Sequence, residues 1–119
     1  FWHALGLAAS LLGEYTKSQR WLEVAVHAHR TALLIWQEDT VVFQWAIVQN
    51  NLGHALRLLA EQHQDRQTQI PILKQSVEAF QQARRVYRAA AAAKTYLRQT
   101  ETNLANAEAM LSERPIAAA

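Results

Sequence analysis

The 119-residue chain carries five histidines, four serines and a cluster of arginines, so the first question is whether their spacing supports chemistry. His27 and His29 lie two apart, which on a helix turns them away from each other, and no His-Glu-x-x-His pair occurs. His29 reads instead as a packing residue. Ser10, Ser18, Ser76 and Ser112 sit in no nucleophile turn, and no glycine-rich loop is present to cradle a phosphate. There is no cysteine, which removes thiolate zinc ligands, disulfides and sulfur nucleophiles together. These residues predict a non-enzyme with no metal and no cofactor.

Two groups of side chains are better suited to recognition. Asn50, His54 and Arg57 recur at intervals of four and three, so a helix places them on one face. Asparagine amides pair with an extended peptide backbone, and a guanidinium holds a carboxylate through two donors. A protein or peptide partner with an acidic group is the expectation. The alternative is a basic face of Arg84, Arg85, Arg88, Lys94 and Arg98, a run with no acidic residue between Glu78 and Glu101 and with Tyr87 and Tyr96 interleaved. Such a face is able to contact phosphates and stack bases, with binding that falls steeply with salt. The net charge of +2 is too small to favour it, and a solvated outer helix face with both tyrosines in the core is preferred. Nucleic acid is thus the less favoured partner.

The elements that must position these groups are helices. Half of the residues are hydrophobic, with only three glycines and two prolines, which predicts an all-α chain. Leu5-Gly6-x-Ala8 returns as Leu52-Gly53-x-Ala55 and as Leu104-Ala105-x-Ala107; Leu12-x-Glu14 returns as Leu59-x-Glu61 and Leu111-x-Glu113. Between them Leu22, Val26, Ala28 and Ala32 match Leu73, Val77, Ala79 and Ala83, with Trp36 matching Tyr87 and His29 matching Phe80. The pattern predicts five alternating helices near 1–13, 18–37, 42–62, 71–90 and 94–112, grouped as units 1–41, 42–93 and 94–115 of one domain. Gly13 is read as ending the first helix, Thr16 or Ser18 and Asp39-Thr40 as caps, Pro71 as opening the fourth helix and Pro115 as stopping the fifth. No glycine or proline interrupts Ala89–Ala93, where one continuous helix is the competing reading. Glycine inside a helix costs about 1 kcal/mol relative to alanine, so Gly6 and Gly53 imply close helix packing.

Leu52-Gly53, Ala79-Phe80 and Ala83, with Trp45-Ala46-x-x-Gln49-Asn50-Asn51-Leu52-Gly53-x-Ala55-Leu56, resemble the tetratricopeptide repeat in a long-repeat variant of bacterial multidomain signalling proteins. The resemblance covers nearly the whole chain. It implies an α-α superhelix of antiparallel helix pairs that binds a partner on its concave face. Groove positions carried over from the family are His3, Leu7 and Ser10, then Asn50, His54 and Arg57, then Thr102, Asn106 and Ala109. The lysines with which chaperone-binding members grip a C-terminal carboxylate are unmatched. Spacings of 47 residues from Leu5 to Leu52 and 52 from Leu52 to Leu104 exceed the usual repeat of about 34. His29 replaces the aromatic at Phe80, and Leu56 stands where the family often has tyrosine.

The chain also reads as a piece of a longer protein. Stacked repeats with too few units leave apolar ends, and Trp2, Leu5 and Leu97 are expected there, open to self-association. A purely structural or dimerising segment of a larger regulator is a further alternative. No apolar run approaches the roughly 20 residues that span a bilayer. A cytoplasmic location and no membrane contact are expected.

Overall fold

With so little glycine and proline the chain turns seldom, and each turn has a local cause. The computed structural model describes residues 1–38, 41–90 and 93–112; among them are five α-helices and no strand. They are α1 (Trp2–Thr16), α2 (Gln19–Ile35), α3 (Val42–Glu61), α4 (Arg66–Ala89) and α5 (Lys94–Ser112). None is long and apolar enough to cross a membrane.

Two boundaries depart from those expected. α1 runs three residues past Gly13, and the left-handed turn falls on Lys17 at φ 56°. Gly13 is a contact rather than a terminator: a Cβ there would lie 2.6 Å from the Leu22 side chain. Ser18 caps α2 by accepting from the Trp21 amide at 3.4 Å. α4 starts at Arg66, five residues before Pro71, because Asp65 caps it. The Asp65 carboxylate accepts from the Thr68 hydroxyl at 2.8 Å and the Gln67 amide at 3.1 Å, and these bonds hold its pKa below the ordinary carboxylate value. Pro71 therefore lies inside α4.

The alanine tract does break. α4 ends at Ala89, Ala90 is extended at φ −114° and ψ 106°, and α5 starts at Lys94. Tyr87 stacks on Tyr96, with ring centroids 5.6 Å apart, across this return. At the far end of the pair, Arg66 donates to the carbonyls of Met110 at 2.8 Å and Leu111 at 2.5 Å, which meets two of the acceptors a helix C-terminus leaves open. The proposed caps at Asp39-Thr40, the part of the tract at Ala91 and Ala92, and the stop at Pro115 lie outside the described residues.

Each helix packs on the next, and α3 also touches α1 and α5. The Cα traces of α2 and α4 nowhere come within 8 Å of each other. Thus α1, α3 and α5 form one layer and α2 and α4 the other, in a body measuring 51 × 28 × 21 Å.

The joints between layers repeat. A Cβ on Gly6 would lie 2.5 Å from the His29 ring, and one on Gly53 would lie 2.8 Å from the Phe80 ring. Glycine is required at both points because the aromatic ring occupies the space of the missing side chain. Ser76 adds a polar tie by donating its buried hydroxyl to the Gly53 carbonyl at 2.6 Å. Ser76→Ala is expected to cost about 1 kcal/mol of stability, measured by urea unfolding. No loss would mean that this hydrogen bond contributes nothing net.

Candidate recognition surfaces

α3 is the central helix and carries the row expected from spacing. Asn50 accepts from the Thr100 hydroxyl of α5 at 3.0 Å. His54 Nε2 lies 3.4 Å from a Glu14 carboxylate oxygen of α1, and its Nδ1 lies 3.4 Å from the Arg57 guanidinium. Arg57 in turn donates to Glu61 at 2.7 Å. The row is thus continuous from α1 through α3, and at Asn50 it reaches α5.

The other groove positions divide. Thr102, Asn106 and Ala109 are exposed on α5, and Leu7 is exposed on α1. Ser10 is buried, and its hydroxyl has no hydrogen-bond partner among the described residues. His3 also turns inward: its ring lies 6.3 Å from His29 and 5.6 Å from Trp36. Its pKa is lowered, first by burial and then by the charge of the chain's amino terminus. His3 and Ser10 therefore pack against neighbours, Leu7 and the α5 positions are exposed, and Asn50, His54 and Arg57 of α3 are half-buried.

Sequence reasoning missed Glu14, Glu61 and Thr100. The first two were visible as Leu12-x-Glu14 and Leu59-x-Glu61, yet they read as marks of the repeat rather than partners of His54 and Arg57. The Glu61 carboxylate leaves Arg57 already paired. Among the described residues no group of three or more histidine, aspartate or glutamate side chains is arranged to hold a metal ion.

The basic face is less positive than its run of residues implies. Glu38, at the end of α2, accepts from Arg85 at 2.6 Å, and Glu101 lies 3.6 Å from Arg88. The Arg85 hydrogen bond lowers the Glu38 pKa. Tyr87 is buried, which raises its pKa to about 12, with the Tyr96 phenol contributing second. It is therefore no stacking platform for a base, and of the two rings only Tyr96 is exposed.

At the ends of the array Trp2, Leu5 and Leu97 are half-buried, and Leu97 packs against the buried cluster of Ala46, Ala83, Val86, Tyr87 and Ala93. The exposed apolar side chains of α1 are Leu7, Leu11, Leu12 and Tyr15. α5 exposes Tyr96 among polar neighbours that include Lys94, Arg98, Glu101 and Thr102.

No protein-family model, curated protein or solved structure matches this chain.

Proposed function

We propose that the chain is a protein-recognition module of the tetratricopeptide type, which binds a peptide segment of a partner protein along the layer of α1, α3 and α5. The observation that supports this is the recurrence of one joint, Gly6 against His29 and Gly53 against Phe80, at matching places in two helix pairs. Repeated joints stack helices in register, and such stacks offer an extended recognition face. On that face Asn50, His54 and Arg57 supply amide, imidazole and guanidinium groups within one row. A partner carboxylate binds by replacing Glu61 at Arg57, exchanging one charged pair for another. The absence of cysteine agrees with a reducing, cytoplasmic setting, and the repeat pattern with a bacterial signalling context.

The test is selection of peptides from a displayed library on the intact chain, followed by titration against the variant Asn50→Ala/His54→Ala/Arg57→Ala. At least a tenfold loss of affinity, which is about 1.4 kcal/mol, is expected with an unchanged helical melt. Retained affinity in a folded triple variant overturns the reading. Selection of peptides that bind through Arg84, Arg88 and Arg98, or salt-sensitive retention of RNA by those residues, would move function to the basic face.

A further inference from the structure

On the opposite side of α3 the separation of α2 from α4 leaves a channel of about 440 Å³. Its floor is one face of α3, with Trp45, Leu52 and Leu56 recurring over eleven residues, or roughly 16 Å at 1.5 Å per residue. Leu33 and Ala79 complete the apolar lining from α2 and α4. The rim is polar and nearly neutral, since Arg30 on one wall balances Glu78 on the other.

We propose that this channel binds an uncharged, proline-rich peptide segment in the polyproline II conformation. Two glutamines set the geometry. Gln75 accepts a hydrogen bond from Arg30, and Gln82 accepts one from Arg85 at 2.9 Å. A guanidinium has donors only, so each carboxamide must turn its oxygen to the arginine, which leaves each NH2 group free to donate. Both residues line the channel.

The channel therefore offers donors, and an incoming main chain must offer carbonyls. Gln75 and Gln82 are two helical turns apart, about 10 Å along α4. A polyproline II strand has three residues per turn and a rise of about 3.1 Å, so its carbonyls repeat on one side every 9 Å or so. That period fits the two donors, whereas a β-strand repeats its carbonyls on one side at about 6.7 Å. No strand edge exists among the described residues for a β-form peptide to extend. A polyproline II segment also forms no internal hydrogen bonds, so its carbonyls are free to accept. The floor suits proline rings, because the Trp45 indole lines it, with the Arg85 guanidinium 5.7 Å from the ring centroid.

The inference does not depend on the α1, α3 and α5 face. It is tested by titrating the ¹⁵N-labelled chain with an uncharged synthetic peptide of about nine residues built from Pro-Pro-Leu, three turns of such a helix. A control peptide carries glycine for every proline. The expected result is shifts at the side-chain amides of Gln75 and Gln82 and at the Trp45 indole, with the control at least tenfold weaker. Gln75→Glu/Gln82→Glu, which replaces the donors on two accessible side chains, should lose tenfold or more while keeping the fold. The variant Asn50→Ala/His54→Ala/Arg57→Ala should bind the peptide normally, which separates this outcome from the fate of the recognition face. Equal binding of the two peptides, shifts confined to Asn50, His54, Arg57 and the residues of α1 and α5, or no shifts at about 1 mM peptide overturns the proposal.

Discussion

Gly53→Ala is expected to lower the melting temperature by about 8 °C, although alanine is the better helix former. The added Cβ would stand 2.8 Å from the Phe80 ring, closer than a carbon atom tolerates. Phe80 is wholly buried and packs with Leu104, Ala107 and Val77, so the ring has no room to withdraw. Overpacking of this kind costs about 3 kcal/mol, and the helix propensity of alanine returns about 1. The net loss of about 2 kcal/mol converts at roughly 4 °C per kcal/mol for a domain of this size. Ala105 is the control, because it occupies the matching place in α5 and is exposed. Ala105→Leu should leave the melt within about 2 °C of the parent. A Phe80→Leu background should relieve much of the Gly53→Ala defect, since the two substitutions share one contact. Circular dichroism melts of the parent, the three single variants and the Gly53→Ala/Phe80→Leu double variant decide the matter, and a stabilising Gly53→Ala would show that the joint is loose.

His29→Phe is expected to flatten the acid dependence of folding and to raise stability at neutral pH. The His29 ring is wholly buried, and both its nitrogens lack hydrogen-bond partners among the described residues. Burial, followed by the nearby His3 ring, lowers its pKa from 6.5 to about 4. The folded state therefore resists protonation that the unfolded state accepts. Stability from this residue is fully present above pH 6.5 and drains away as pH falls towards 4, by about 3 kcal/mol in all. Phenylalanine cannot protonate, and it is the residue at the matching position of the next helix pair, where Phe80 fits against Gly53. Removing two unpartnered buried nitrogens should add about 2 kcal/mol at pH 7. Urea unfolding at intervals from pH 4 to 7.5 gives the comparison. An unchanged slope in the variant would place the acid sensitivity elsewhere, with His3, whose pKa is also lowered, as the next residue to replace.

The number, order and type of the helices were legible because apolar residues recur at helical spacing and the Leu-Gly-x-Ala pattern returns at matched places. The pairing of His29 with Phe80 was legible for the same reason. Gly13 was misread because a glycine near a helix end and a glycine under a neighbouring side chain look alike in a sequence; only the position of Leu22 distinguishes them. The early start of α4 was hidden by the polar residues around Asp65, whose capping bonds outweigh their weak apolar pattern. The recognition surfaces were legible only within single helices. Glu14 meets His54 across 40 residues and Glu38 meets Arg85 across 47, and no local pattern encodes such pairs. The channel was wholly invisible, because it exists through the distance between two helices rather than through any residue type.

That distance gives the array a mechanical character. α3 is gripped along its length by neighbours on both sides, whereas α2 and α4 are tied across their gap by two side-chain bridges among the described hydrogen bonds, Arg30 to Gln75 and, just past the end of α2, Glu38 to Arg85. A body joined in this way is expected to yield first where α2 and α4 are apart, by a rocking of those two helices about α3. A wedge between them spreads one side and pinches the other, so ligands on opposite sides of α3 would each feel whether the other is seated.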